Sequence, residues 1–316
     1  MGIQPRIGNA DKSQGSTAAP ISPWRAAIQR LDGAYSEHTL RSYRSDFSIF
    51  ERWCLGNDRA PLPATPQVVA DFIAADAVKS ASSTLKRRLA AIRKVHRLFR
   101  LPCPVDDEEV AIALRRAMRS KRRRPRQALG LTAALRDQLI AACPDTLIGR
   151  RDRAMIAIGY DTLCRRSELV CLRLEDLTRL SDGGAKILVR RAKNDQFGDG
   201  RWGYLSAVAL AHLDEWTQAA AIHEGPILRA VIGGNLQAKG LLSVAVSRRL
   251  KAAAQRAGVP APTTAALSGH SMRVGAAQDL MTAGKSLLQI MSAGGWTSVN
   301  VVGRYVGEAD WNVWAA

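Results

Sequence analysis

Between residues 115 and 126 the chain carries Arg115, Arg116, Arg119, Lys121, Arg122, Arg123, Arg124 and Arg126, with no acidic residue among them and with Pro125 near the end. A run of like charge repels itself and cannot be buried, so it predicts a linker, not a core. It divides the chain into an N-terminal unit over residues 23–118 and a C-terminal unit over residues 129–316, with a basic linker over 119–128. Residues 1–22 are rich in Gly, Ser, Pro, Ala and Asn and have no apolar periodicity, which predicts a flexible tail. At 316 residues the chain is long enough for two compact domains.

The linker is the densest part of a general excess of positive charge. Lys and Arg outnumber Asp and Glu by 46 to 28, a net charge of +18, with a pI near 10.5. Such a surplus implies a polyanionic partner, because each neutralised phosphate releases counterions. Cys54, Cys103, Cys143, Cys164 and Cys171 form no C-x-x-C pair and leave an odd one, which argues against a disulfide framework and fits a reducing, cytoplasmic setting. The histidines, at 38, 96, 212, 223 and 270, lack metal-ligand spacing. No secretory signal or membrane-length apolar run is present, so we expect no metal, no cofactor and no membrane partner.

Helical periodicity dominates the first unit. From Ser36, Leu40, Tyr43, Phe47 and Phe50 recur at three- and four-residue steps. Pro61, Pro63 and Pro66 break the pattern before a short helix holding Val68, Val69, Phe72 and Ile73. A further helix, capped by Ser82, Ser83 or Thr84, gathers Leu85, Leu89, Ile92, Val95 and Phe99 on one face. Lys86, Arg87, Arg93, Lys94, Arg97 and Arg100 fall on the other. A solvated surface is one reading of that face. Yet no acidic residue interrupts it, so ion pairs along the helix cannot be its purpose, and phosphate contact is the better reading. His96, on the apolar side, reads as a packed core histidine.

The second unit opens with helices around Leu135–Ile140 and Arg153–Tyr160. Strand patterns cover Ala185–Arg190 and Trp202–Ser206, on either side of a polar turn. Everything after Val208 reads as helix punctuated by Gly and Pro. The fold class is mainly α with one small β-sheet, in two domains.

The most informative motif is Ser268-Gly269-His270-Ser271-Met272-Arg273, followed by Gly294-Gly295-Trp296 and then Tyr305. A tyrosine hydroxyl can attack phosphorus, guanidinium forks can hold non-bridging oxygens bidentately, and imidazole and indole N–H groups can relay a proton or donate to what remains. His270 begins the helix that carries Arg273, and Tyr305 lies near the end of a helix over 298–306 that Thr297 can cap.

Tyr160-Asp161-Thr162-Leu163-Cys164-Arg165-Arg166-Ser167-Glu168-Leu169 resembles the first-arginine box of the tyrosine site-specific recombinases, the phage integrase family, and Ile187–Lys193 resembles the hairpin that carries that family's lysine. The resemblance extends over roughly residues 23 to 310. It implies a DNA clamp made of a helical core-binding domain and an α+β catalytic domain. It also implies a catalytic set of Arg165, Lys193, His270, Arg273, Trp296 and the nucleophile Tyr305, with Glu168 in support; as an ordinary helix carboxylate Glu168 would have no such role. Most of the family carry a second histidine where this chain has Trp296.

Arg165 and Arg273 would clamp the phosphate, Lys193 would protonate the departing 5′ hydroxyl, and His270 would accept the tyrosine proton or donate to the phosphate. The substrate implied is double-stranded DNA with an inverted-repeat recombination site, bound by a homotetramer holding two sites and exchanging strands through a Holliday junction. No small-molecule substrate is implied. Expected DNA contacts are Lys86, Arg87, Arg93, Lys94 and Arg97, the linker residues Arg122, Arg123 and Arg124, and Arg248 and Arg249 on a helix over 243–256. That helix resembles the family's base-reading helix, with Ala245 falling by rough alignment where a base-contacting arginine would stand. A type IB topoisomerase-like relaxing enzyme, rejoining the same strand, and a non-catalytic DNA-binding protein are the alternatives.

Overall fold

The computed structural model describes residues 22–121, 127–190 and 200–307. Almost all of the predicted tail, Arg122, Arg123, Arg124 and Lys193 lie outside the described residues, as does everything after Gly307. Backbone contacts divide the chain into two units, residues 1–125 and 126–316.

The first unit is all helical: α1 (Pro23–Gln29), α2 (Glu37–Leu55), α3 (Pro66–Ala77), α4 (Ser82–Leu98), a 3₁₀ turn (Pro104–Asp106) and α5 (Glu108–Arg119). Ser36 caps α2 by accepting from the Thr39 amide at 3.3 Å, and Thr65 does the same for α3 at Val68, with Pro66 in the first turn. The cap position of α4 is Ala81, which has no side chain to offer, so Ser82, Ser83 and Thr84 form its first turn instead of capping it. Phe47, Phe50, Phe72, Leu85, Ile92 and Val95 close the core, with Phe47 and Phe72 edge-on to Phe50 at 5.8 and 5.1 Å. His96 is fully buried there. The Ala64 amide donates to its Nε2 at 3.0 Å, so Nδ1 carries the proton and donates to the Ile92 carbonyl at 2.9 Å, while burial lowers its pKa.

The basic face of α4 is less free than its sequence implies. Arg87 forks onto fully buried Asp46 of α2 at 2.6 and 2.9 Å. Arg93 binds Asp106 at 2.8 and 3.0 Å, Arg97 lies 3.6 Å from the same carboxylate, and Lys94 donates to the Tyr35 hydroxyl at 2.7 Å. The helix has no acidic residue of its own because its partners come from other segments. The Asp106 pairs are exposed and worth about 0–1 kcal/mol, so Arg93 and Arg97 can exchange that carboxylate for another anion. Arg87 cannot do so without costing a buried carboxylate its closest partner. The linker run also needs correction: Arg115, Arg116 and Arg119 belong to α5.

The second unit runs α6 (Ala133–Ala141), α7 (Leu147–Asp161), α8 (Arg166–Leu169), a 3₁₀ turn (Leu174–Asp176), β1 (Leu177–Arg179), β2 (Ala185–Val189), β3 (Arg201–Leu205), α9 (Ala207–Ala219), β4 (Arg229–Ile232), β5 (Asn235–Gly240), α10 (Ser243–Arg256), α11 (Ala261–Ala266), α12 (Ser271–Thr282), α13 (Leu287–Gly294) and α14 (Val299–Val306). Strands β1, β2 and β3 form an antiparallel sheet in which Leu188 pairs with Trp202 and Lys186 with Tyr204. A second antiparallel sheet, β4 with β5, corrects the expectation of helix throughout after Val208. Its turn, Gly233-Gly234, has both φ angles positive (57° and 82°), the conformation a two-residue hairpin demands. The polar β5 offers no β-branched run that would mark it as a strand.

The core gathers on α7, where Met155, Ile156 and Ile158 are fully buried. Helix α12 is buried from Ser271 to Gln278, and a Cβ on Gly275 would stand 1.9 Å from the Leu131 carbonyl, so only glycine permits that approach. Among the described residues no helix is long and apolar enough to cross a membrane.

Candidate active site

The first arginine sits where α7 ends. Leu163 takes a left-handed φ of 49°, uncommon for a branched side chain, and turns the chain so that Arg165 becomes the residue preceding α8. Glu168, three residues on, accepts from the Arg165 amide at 3.0 Å through one carboxylate oxygen and from its Nη1 at 2.5 Å through the other. One buried carboxylate thus fixes both backbone and side chain of Arg165. The contact arises through local helix-capping geometry.

Arg273 projects from the first turn of α12 and is fully buried. Its Nη1 donates to the Leu163 carbonyl, so the strained turn that aims Arg165 also orients Arg273. Its Nε and Nη2 have no partner among the described residues. The guanidinium carbon stacks 3.9 Å over the Trp296 ring and lies 5.7 Å from the Tyr305 ring, and those two rings meet at 4.9 Å with a 55° tilt. Burial, followed by the Arg165 charge, brings the Arg273 pKa down to about 10, against the opposing pull of Tyr305 and Glu168. The Trp296 indole N–H is likewise buried and unpartnered. Burying such donors costs energy unless something accepts from them.

The turn before Trp296 needs its glycines. Gly295 ends α13 in the left-handed conformation, and a Cβ on Gly294 would enter the Trp296 ring at 2.0 Å. Tyr305 lies in the last turn of α14, half-buried against Trp296, and its carbonyl accepts from Gln127 at 3.2 Å. Helix α14 starts at Val299 with Ser298 before it and no side-chain cap, so Thr297 does not cap it.

His270 immediately precedes α12, as expected. Its ring keeps surface toward solvent. Partial burial, then the charges of Arg166, Arg273 and Arg165, lower its pKa against the pull of Glu168, which favours neutral imidazole. Lys193 lies outside the described residues, between β2 and β3. The other lysine of that hairpin, Lys186, holds its ammonium 4.7 Å over the Trp202 ring on the outer face of the sheet.

Sequence reasoning missed Arg201, which heads β3. It donates to the carbonyls of Thr162 and Ala293, each at 2.9 Å, and lies 3.6 Å from Glu168. Its signal was available: Arg201 shares the inward face of β3 with Gly203 and Leu205, and an inward charge on a half-buried strand requires a partner.

Among the expected DNA contacts on α10, Arg248 is exposed. Arg249 forks onto buried Asp152 at 2.8 and 2.5 Å. Ala245 faces the core, so Val244, 55% exposed, is the residue that looks outward in that turn.

Residues 131–310 match the model of the phage integrase family, and residues 29–100 match its N-terminal SAM-like domain. The chain belongs to the phage integrase family. It is 30% identical to the recombinase Cre of Escherichia phage P1 over 294 residues, covering 88% of this chain and 86% of Cre. It is also 30% identical to an integrase/recombinase XerD homologue of Selenomonas ruminantium over 301 residues, 90% of this chain and 85% of that protein. In fold it is similar to a lambda integrase dimer bound to a COC′ core site, with a TM-score of 0.60, 17% identity and coverage of 92% of this chain and 78% of that one. The chain is thus a tyrosine recombinase, an enzyme of site-specific DNA strand breakage and rejoining.

Proposed function

We propose that Tyr305 is the nucleophile of this recombinase and that Arg165, Arg273 and Trp296 hold the phosphate it attacks. The tyrosine oxygen forms a bond to phosphorus as the bond to the 5′ oxygen breaks, leaving a 3′-phosphotyrosine and a free 5′ hydroxyl. His270, kept neutral by its surroundings, accepts the tyrosine proton, and Lys193 gives one to the departing oxygen. The 5′ hydroxyl of another strand then reverses the step. The phosphodiester energy is retained in the covalent link, so the cycle needs neither nucleotide nor cofactor.

The observation that carries this reading is the buried guanidinium of Arg273, stacked on Trp296 beside Tyr305, with two of its own donors and the indole N–H unpaired. An anion is the partner that restores what their burial costs. Arg273 has no exposed surface, so a phosphate reaches it only after a covering side chain shifts. Helix α14, which carries Tyr305, has Val302 as its one buried residue.

The substrate in this reading is duplex DNA with inverted repeats, with four copies of the chain joining two sites through a Holliday junction. Support comes from the relatives: Cre and the XerD homologue are recombinases, and the lambda integrase structure is a dimer on a core site. The excess of 18 positive charges fits the same partner.

The test uses DNA selected from a random library by the Tyr305→Phe protein, then nicked to trap a covalent adduct. The wild-type chain should form the adduct with or without EDTA, and Tyr305→Phe should bind the same DNA without forming it. An adduct in the Phe variant moves the nucleophile elsewhere, with exposed Tyr204 the next candidate.

A further inference from the structure

Arg201 touches none of the groups proposed to meet the phosphate's oxygens, yet it joins the segments that carry Arg165 and Trp296. Its Nη1 donates to the Ala293 carbonyl, at the end of α13, three residues before Trp296. Its Nη2 donates to the Thr162 carbonyl, one residue before the turn whose carbonyl orients Arg273 and three before Arg165. The same nitrogen stands 3.6 Å from the Glu168 oxygen that caps Arg165, and 3.5 Å from the Cys164 sulfur. Its stem fills the space in front of Gly295, where a Cβ would meet Arg201 Cδ at 2.5 Å. Two carbonyls and a carboxylate around one side chain suit a planar five-donor fork; a lysine ammonium is a single point on a flexible stem and cannot span them.

The charge of Arg201 matters as well as its bonds. Next to one another here stand the guanidiniums of Arg165, Arg201 and Arg273 and one carboxylate, Glu168, so among these four groups Arg201 raises the sum from +1 to +2, before Arg166 and the Lys193 ammonium are counted. Glu168 is shared, and the Arg201 charge is itself one of those lowering the Arg273 pKa. A phosphodiester carries one negative charge, and its five-coordinate transition state carries two across its non-bridging oxygens. Each preorganised positive charge therefore favours the transition state over the bound substrate.

We infer that Arg201 is a positioning residue for this active site: it locks the Arg165 turn to the Trp296 turn and adds one positive charge to the surplus that favours the transition state. The inference rests on the reading of Tyr305, Arg165 and Arg273 given above.

The test compares two scissile linkages in one selected, nicked duplex: an ordinary phosphate, and a methylphosphonate in which a methyl group replaces one charged oxygen. Single-turnover adduct formation is measured for wild type, Arg201→Gln and Arg201→Lys. On phosphate, Arg201→Gln should be slowed about 10²-fold, the scale of losing one preorganised positive group, with DNA affinity unchanged, and Arg201→Lys should fall between. On the methylphosphonate, whose transition state has one charge fewer, the deficit of Arg201→Gln should shrink to a few-fold. The ratio of the two rates within one preparation does not depend on how much of the variant is folded, so partial unfolding cannot imitate the result. Arg201→Lys keeps the charge and loses the span, so its smaller deficit should be the same on both linkages, and it carries the test of positioning if Arg201→Gln does not fold. Wild-type rates in either variant, or an equal deficit of Arg201→Gln on both linkages, would overturn the inference while leaving the proposed nucleophile intact. An adduct formed by a parallel Tyr305→Phe control would instead overturn the reading on which it rests.

Discussion

The two neighbouring arginines of α10 should behave differently, although they are indistinguishable in composition. Arg249 donates through Nε and Nη2 to Asp152, whose carboxylate has no exposure and also receives Arg151 at 2.8 and 3.2 Å. Replacing Arg249 with Gln removes a charge-assisted fork but leaves Asp152 paired to Arg151, which should cost about 1.5–3 kcal/mol. In a unit of this size each kcal/mol lowers the melting temperature by roughly 2–4 °C, so Arg249→Gln should melt roughly 3–12 °C lower. Asp152→Asn should cost more, about 3–5 kcal/mol, because it strands Arg151, a nearly inaccessible guanidinium. Arg248 is exposed, and its replacement with Gln should change stability by no more than about 0.5 kcal/mol.

Binding should show the opposite order. Against random-sequence duplex DNA over a salt series, Arg248→Gln should reduce the log–log slope by roughly 0.9, the signature of one phosphate no longer neutralised, while Arg249→Gln leaves it unchanged. Thermal melts and salt titrations on the full chain measure both quantities. If Arg249→Gln flattens the slope without lowering the melting temperature, the guanidinium leaves Asp152 for DNA and the reasoning fails.

Three further expectations follow from the same physics. Neutralising Arg122, Arg123 and Arg124 together should weaken binding to all sequences about equally and reduce the salt slope by roughly 0.9 for each phosphate they neutralise; altered sequence preference at constant slope would mean base reading instead. His96 has its pKa lowered below the unfolded value near 6.5, so the unfolded chain binds the extra proton first and stability is lost as pH falls through the folded value. Hydrogen exchange across residues 60–66 and 92–99 should therefore lose protection on acidification, and His96→Gln should remove that dependence. Deleting residues 310–316, which include Trp311, Val313 and Trp314, should preserve single-site binding and Tyr305 cleavage but impair the joining of two sites, as read by gel shifts on one-site and two-site DNA; normal joining would show that the tail is no interface, and an unfolded product that it packs on its own domain.

What could be read in the sequence was whatever depends on short range. Helix α10 covers the expected 243–256, β2 lies within Ala185–Arg190, β3 starts at Arg201, one residue before its expected run, and Ser36 and Pro66 start their helices through a local hydrogen bond and a fixed φ. The misreadings share another cause. Lys86 to Arg100 looked like an unpaired basic face because Asp46 and Asp106 reach α4 from other segments, and Arg249 looked like Arg248 because Asp152 is 97 residues away. Arg201 gains its meaning from carbonyls 39 and 92 residues distant.

Pairing across such distances sorts arginines by function in a way spacing cannot. In a chain this basic, a motif can nominate Arg165 and Arg273, but many other arginines compete with them. Most of the buried or half-buried guanidiniums in the second unit are turned inward and answered: Arg151 and Arg249 by Asp152, Arg201 by two carbonyls. Among the described residues Arg273 alone keeps two buried donors with no acceptor, beside an indole N–H in the same state. A fold that bears this cost at one point, through a strained leucine, two obligatory glycines and a buried helix, holds that point ready for an anion.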